Sequence, residues 1–247
     1  MKKWRVAGIN FDHLHMGDLL REVYNHAFAE IVGVCDLDQN KMQSAISNFN
    51  IPNNLVFNNL DKCILETNPD LVITCPATAD HANYLEKISK YPVHILIEKP
   101  FAPNTSEAKR MIESMKIHNK KLAINWPLAW YPCHVKAKKI LEKGFIGELR
   151  EVHFYDGNRG PLYHLADKIE VSEEEVEKKK KDSWWYKKEL GGGSLLDYLG
   201  YGTTLGTWFF NGKKPETVTT ITDKVPNIEV DQHSITICRY GKYLSKF

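Results

Sequence analysis

Along the first 125 positions, short β-branched apolar runs alternate with longer stretches in which apolar residues recur at helical spacing. That alternation predicts a parallel sheet with crossover helices. Trp4 to Ile9, Ala29 to Cys35, Leu71 to Thr74, His94 to Ile97 and Leu122 to Asn125 are the expected strands. Between the last two, Ala108, Met111, Ile112 and Met115 fall at i, i+3, i+4 and i+7, one apolar stripe. Asn104 and Glu107 precede it as a capping-box-like start, so a helix is expected there. Another is expected from about Pro132 to Lys143, with Ala137, Ile140 and Leu141 on one face and Gly144 placed to end it.

From Glu148 onward the strand-like segments Glu151 to Asp156, Thr217 to Ile221 and Ser234 to Arg239 no longer alternate regularly with helices. A second, antiparallel sheet is predicted, with a boundary near Gly147. The organisation expected is a first domain over 1–125, a linking helix over 126–147 and a second domain over 148–247. Ser172 to Trp185 holds acids followed by four lysines, with Glu174/Lys178, Glu175/Lys179 and Glu177/Lys181 at i, i+4 and Ser172 with Glu175 as a capping box. Its charges balance locally, as on a solvated surface helix.

A chain of 247 residues with 43% hydrophobic content can bury one large core or two small ones. Its 33 basic and 31 acidic residues leave a net charge of +2, so no global field draws it to nucleic acid or an anionic membrane. Cys35, Cys63, Cys75, Cys133 and Cys238 are odd in number and contain no C-x-x-C pair. Neither a disulfide framework nor a zinc knuckle fits, and a reducing cytoplasm does. Met1-Lys2-Lys3 is followed only by Val6 to Ile9 before Asn10 and Asp12 interrupt the apolar run, and no stretch approaches the roughly 20 apolar residues that span a bilayer. No H-E-x-x-H or clustered ligand spacing appears, so a metal hydrolase is not expected and no metal is predicted.

Candidate chemistry gathers where the expected strands end. Gly8-Ile9-Asn10-Phe11-Asp12-His13 lies where a G-x-G-x-x-G dinucleotide fingerprint would stand, and only Gly8 matches it. An ordinary strand-to-helix turn needing one glycine reads equally well. Asp36, ending the second strand, stands where an acid accepts hydrogen bonds from an adenosine ribose and repels a 2′-phosphate, which favours NAD over NADP; capping the next helix is the alternative. Cys75-Pro76-Ala77-Thr78 and Glu98-Lys99-Pro100 follow the third and fourth strands, and in open parallel sheets such loops share one ligand-binding rim. His13, His15 and His81 could touch a cofactor or simply open helices. Asn158-Arg159-Gly160 and His164 could hydrogen-bond a substrate or form a surface turn. Trp126, Trp130, Trp184 and Trp185 could stack on a sugar or pack internally.

Glu98-Lys99-Pro100 after an apolar strand, Asn125 after the next, Gly144-Phe145-Ile146-Gly147-Glu148, and Gly191-Gly192-Gly193-Ser194-Leu195-Leu196-Asp197-Tyr198-Leu199-Gly200-Tyr201 together resemble the Gfo/Idh/MocA oxidoreductases, the family of glucose-fructose oxidoreductase and inositol 2-dehydrogenase. The resemblance spans nearly the whole chain. It implies an α/β protein: a Rossmann-fold doubly wound parallel sheet, then an α+β domain with an open, mostly antiparallel sheet. NAD or NADP would bind the first, and hydride would pass to or from a sugar, polyol or related small hydroxy or carbonyl compound. The family's E-K-P lysine falls on Lys99, its G-G-G-x-L-x-D aspartate on Asp197, and its histidine or tyrosine four residues later on Tyr201; these are the catalytic candidates. Cofactor contacts are expected from Gly8, Asn10, Phe11, His13, Asp36, Pro76, Thr78, His81, Glu98, Lys99 and Asn125. Substrate contacts are expected from Lys99, Asn158, Arg159, His164, Asp197 and Tyr201.

Hydride transfer from C–H requires removal of a hydroxyl proton by a positioned base. Lys99 could stabilise the alkoxide, Tyr201 could relay the proton, and Asp197 could hold the substrate hydroxyl or orient Lys99. The chain departs from the family at Asn10 and His13, which replace the second and third glycines, and at Tyr201, which replaces the usual histidine. It also stops at Tyr243 to Phe247, in a strand-like stretch where family members usually continue. An incomplete second sheet with an unpaired edge is expected, favouring a homo-oligomer, dimer or tetramer, through that sheet, or else aggregation or a missing C-terminal segment. Two classes of function remain: a nicotinamide-dependent dehydrogenase or reductase, favoured by Lys99, Asp197 and Tyr201, and a non-catalytic dinucleotide-binding sensor or scaffold, favoured by the eroded glycines.

Overall fold

A computed structural model describes residues 2–157, 162 and 171–247. Two compact units emerge: residues 2–125 with 162 and 171–184, and residues 126–157 with 185–247.

In the first unit, β1 (Trp4–Ile9), β2 (Ala29–Cys35), β3 (Val56–Phe57), β4 (Leu71–Thr74), β5 (His94–Glu98) and β6 (Leu122–Asn125) form a six-stranded sheet in the order β3-β2-β1-β4-β5-β6. Every neighbouring pair is parallel. The order reverses between β1 and β4, the switch point where open α/β sheets bind ligands. Alternation along the strands sends Val6, Val34 and Ile73 to one face and Ala7, Val72, Ile95 and Ile97 to the other. Helices α1 (His15–Asn25) and α2 (Gln43–Asn48) cover the first face through Met16, Leu20 and Ala45. Helices α3 (Leu60–Thr67), α4 (His81–Ile88) and α5 (Thr105–Ser114) cover the second through Ile64, Leu85 and Met111. Burial on both faces explains why these strands read as near-continuous apolar runs.

The two-residue β3 carries no periodicity and was not expected from the sequence. Asn104 caps α5 as expected, its Oδ1 accepting the Glu107 N–H at 2.9 Å. The predicted stripe is narrower than its spacing suggested: Met111 and Met115 are buried, whereas Ile112 is 51% exposed. One residue of helix turns a side chain by about 100°, which carries Ile112 past the edge of the seam.

Helix α6 (Pro132–Glu142) starts with proline in its first turn and is followed by a left-handed Gly144. Its most enclosed residue is Lys138, whose Nζ donates to Asn211 Oδ1 and lies 3.7 Å from Glu142. Helix α7 (Glu173–Lys180) is shorter than the charged segment containing it. Ser172 Oγ accepts the Glu175 N–H, and Lys178–Glu174 and Lys180–Glu177 pair along its surface together with Lys179–Glu175. Glu177 thus takes the i, i+3 partner Lys180, a neighbour equally within reach on a helix.

The second unit holds β7 (Glu151–His153), β8 (Thr217–Thr222), β9 (Ser234–Tyr240) and β10 (Tyr243–Lys246), ordered β7-β10-β9-β8. β8, β9 and β10 pair antiparallel, and β10 runs parallel to β7, so the sheet is mixed. Helix α8 (Ser194–Phe209) packs against β7 and β9. On the sheet's other face Ile221, Ile235, Ile237 and Leu244 are exposed. Among the described residues no helix is long and apolar enough to cross a membrane.

Candidate active site

In the first unit, the loops at the carboxyl ends of β1, β2, β4 and β5 lie on one rim. Gly8 sits at a close approach: a Cβ there would stand 3.1 Å from Met16 Sδ and 3.3 Å from Leu20, so glycine leaves room for α1 to seat against β1. Asn10, at the second glycine position, has φ +66°. Asparagine is among the non-glycine residues that tolerate this left-handed conformation, so the loss of glycine preserves the turn. Asn10 N–H donates to Cys35 O at 2.8 Å.

The turn is tied down by two carboxylates. Asp36 Oδ2 accepts the Phe11 N–H at 2.7 Å and its Oδ1 accepts the Asp38 N–H at 2.8 Å. Asp12 accepts from Asn10 Nδ2 at 3.0 Å, from the Ala77 N–H at 3.2 Å and from Lys41 Nζ, binding the β1 loop to the β4 loop. Burial lowers the Lys41 pKa, but the bond to Asp12 and the charges of Asp12, Asp36 and Asp38 outweigh it and hold the ammonium above its ordinary value. His13 N–H donates to Cys75 O at 3.0 Å, and the Trp184 indole N–H donates to Asp12 O at 3.0 Å. The sequence assigns no role to Asp12 or Lys41, beyond the visible hint of an acid inside the turn, and offers Trp184 only for sugar stacking or internal packing; its bond to Asp12 is set by the fold.

At the end of β5, Glu98 is fully buried and Lys99 is 3% exposed. Glu98 Oε1 stands 3.0 Å from His15 Nδ1 and its Oε2 accepts from Asn125 Nδ2 at 2.9 Å. Burial would raise the Glu98 pKa, yet the His15 bond and the charges of His13, His15 and Lys99 prevail and bring it to about 2. A buried anion is tolerable here because cations and donors surround it. Lys99 thus sits beside a permanent negative charge.

Thr78 is buried just before α4. His81 Nδ1 lies 3.1 Å from Phe101 O and its Nε2 3.1 Å from Pro76 O. The ring is buried between the Pro76 and Phe101 carbonyls, and a neutral imidazole, with one N–H, donates to one of them. Burial lowers its pKa, against the raising effect of those carbonyls and of Glu98 and Asp80.

In the second unit, Asp197 lies in the first turn of α8, is buried, and accepts the Trp185 indole N–H at 2.9 Å. Tyr201 lies one turn further on, buried among Leu128 and Leu205, with Trp126 edge-on at 5.8 Å and Tyr198 at 6.3 Å. The four tryptophans do not share one environment: Trp184 lies beside His13, Trp185 beside Tyr186, Trp126 beside Tyr201, and Trp130 is exposed. Asn158, Arg159 and His164 lie outside the described residues.

The sequence profile of the Gfo/Idh/MocA oxidoreductase family with an NAD-binding Rossmann fold matches residues 3–126, and that of the family's C-terminal domain matches residues 134–244. The chain belongs to the Gfo/Idh/MocA family. Among curated relatives, the trans-1,2-dihydrobenzene-1,2-diol dehydrogenase of Xenopus laevis is 24% identical over 190 residues, 77% of this chain and 51% of the relative. The inositol 2-dehydrogenase of Salmonella typhimurium is 25% identical over 150 residues, 59% of this chain and 44% of the relative. The matched stretch therefore spans about half the length of these relatives. Among solved structures, GenD2 from gentamicin A biosynthesis, in complex with NAD, superposes with a TM-score of 0.80 at 16% identity, covering 100% of this chain and 65% of that one. That likeness establishes the shared Gfo/Idh/MocA fold.

Proposed function

We propose that the protein is a nicotinamide-dependent oxidoreductase acting on a sugar, polyol or related small hydroxy or carbonyl compound, with Lys99, Asp197 and Tyr201 as its catalytic residues. The observation that carries this reading is Lys99: a buried ammonium at the carboxyl end of β5, paired in sequence with a buried, ionised Glu98.

The first unit suits a dinucleotide. Its sheet has the switch point such ligands use, Asn10 takes a left-handed conformation at the fingerprint's second glycine position, and the N-terminal dipole of α1, whose first N–H is held by His13 Nδ1, favours an anion. Gly8, Asn10, Phe11, His13, Pro76, Thr78, Glu98 and Asn125 are the proposed contacts. Asp36, whose oxygens each retain a lone pair, would accept from the ribose hydroxyls. Asp12, Asp36 and Asp38 set three carboxylates against Lys41, and a 2′-phosphate would add to that negative charge, so NAD is the preferred cofactor.

Bound nicotinamide would supply the hydride acceptor or donor. Lys99 would stabilise the developing alkoxide, Tyr201 would exchange the hydroxyl proton, and Asp197 would hold the substrate hydroxyl. The exposed face with Ile221, Ile235, Ile237 and Leu244 supports assembly into a homo-oligomer through the second sheet, and free cysteines suit a reducing cytoplasm.

The test is fluorescence titration with NADH and NADPH, then a polyol and sugar screen at 340 nm. NADH is expected to bind more tightly than NADPH, and Lys99→Met to lower turnover about 100-fold or more with little change in NADH affinity. Cofactor binding without turnover, unchanged in Lys99→Met, would leave a sensor or scaffold; no binding of either cofactor would exclude both readings.

A further inference from the structure

The sequence holds no H-E-x-x-H motif, yet the fold gathers His13, His15 and Glu98 so that one potential ligand atom of each lies within 4.8 Å of the others. We propose that these three side chains form a binding site for a divalent transition cation of the Zn2+ and Co2+ class. Two imidazoles and a carboxylate are a donor set such ions prefer, whereas Mg2+ and Ca2+ favour all-oxygen surroundings.

The geometry is close to that of a loaded site. His15 Nδ1 and Glu98 Oε1 are 3.0 Å apart, and two ligands each about 2.1 Å from one ion stand roughly 3.0–3.4 Å from each other. His13 lies with its ring centroid 4.3 Å from that of His15, and its Nδ1 accepts the His15 backbone N–H at 3.2 Å, so Nε2 is the nitrogen it would offer to an ion. Asn125 Nδ2 holds Glu98 Oε2 and leaves Oε1 directed at His15, the outer-sphere support that ligating carboxylates usually have. Glu98 and His13 are buried, but the His15 side chain is 27% exposed, which provides an entry path and open positions for water. With three protein ligands, the Lys99 ammonium next in the chain and the positive end of the α1 dipole at His15, binding would be weaker than at a closed four-ligand site. A cation here would tie the turn after β1 to the end of β5.

The test uses the full chain without dinucleotide, so its outcome is independent of the oxidoreductase reading. Co2+ is titrated while visible d–d absorption is recorded, Zn2+ binding is followed by calorimetry, and Mg2+ serves as the control. Saturation near one equivalent is expected with Co2+ and Zn2+ and not with Mg2+, with affinity at least tenfold weaker in His15→Ala and in Glu98→Gln. Zn2+ should raise the Tm of the parent protein and not that of His15→Ala. Because His15 is partly exposed, that variant should keep the parent far-UV spectrum even if Glu98→Gln does not fold. Cys133→Ser should bind like the parent, since that exposed thiol is no part of the site. Absence of saturable binding, parent-like affinity in His15→Ala, or loss of binding in Cys133→Ser would overturn the proposal.

Discussion

Asp36 and Phe11 are joined by a 2.7 Å hydrogen bond from the Phe11 backbone N–H to Asp36 Oδ2, which fixes the turn after β1 to the end of β2. The other oxygen accepts from Asp38. An amide at position 36 would set its NH2 against one of these two donors. Asp36→Asn is therefore expected to destabilise the protein by about 1–3 kcal/mol, the usual cost of a buried group left unpaired. Removing the negative charge should also weaken NADH binding roughly tenfold and narrow its advantage over NADPH. Urea unfolding and cofactor titration of the same variant check both parts.

How much of this was legible beforehand depended on the range of the interaction. Strand bounds in the first unit followed directly from apolar runs: β1, β2, β4 and β6 begin and end where the pattern predicted, and β5 extends one residue further, to Glu98. β3 escaped because two residues carry no period. Ile112 was misplaced because an apolar residue at helical spacing need not lie on the covered side of the seam. At the candidate site, Lys99 was legible from its motif and strand end. The Glu98–His15 contact was not, since 83 positions separate the two and nothing local links them. His81 illustrates the reverse case: its position suggested a ligand contact, and only the fold brought two carbonyls against its ring.

Tyr201 carries two readings that one substitution separates. Its ring packs edge-on against Trp126 at 5.8 Å, and its hydroxyl is the proposed proton carrier. Tyr201→Phe keeps the ring, so stability should change by less than about 1.5 kcal/mol. Turnover should fall about 100-fold, and its pH profile should lose the limb that the tyrosine supplies. Parent-like turnover would reduce Tyr201 to a packing residue.

Asp70 provides a pH-dependent anchor for the start of β1. Its carboxylate accepts the Arg5 backbone N–H at 3.0 Å and lies 3.2 Å from Lys2 Nζ. The Arg5 N–H is the main reason its pKa falls below the ordinary 3.8, with burial opposing and Lys2 assisting. A carboxylate with a depressed folded pKa stabilises the native state above its unfolded value, and that contribution is lost progressively as pH falls from there through the lower folded value. Asp70→Asn should accordingly cost about 0.5–1.5 kcal/mol at pH 7. The difference from the parent should shrink once the pH drops below 3.8. Urea unfolding of both proteins in neutral and acidic buffer measures the gap.

Gly200 links the packing of α8 to Tyr201. A Cβ at Gly200 would stand 2.5 Å from Trp126 Cη2 and 3.1 Å from its Cζ3, so an alanine must push the indole away. Helix propensity alone would favour the alanine by about 1 kcal/mol. Overpacking of this kind costs about 1–3 kcal/mol, so Gly200→Ala should be destabilised by up to about 2 kcal/mol. Since the displaced indole also forms one wall around Tyr201, turnover should fall while NADH affinity stays unchanged, the cofactor contacts lying in the other unit. Gly157→Ala is the control: nothing lies within 4 Å of its added Cβ. It should leave stability within about 0.5 kcal/mol of the parent. A Gly200→Ala protein more stable than the parent would mean that Trp126 does not rest on α8, and that the environment assigned to Tyr201 is wrong.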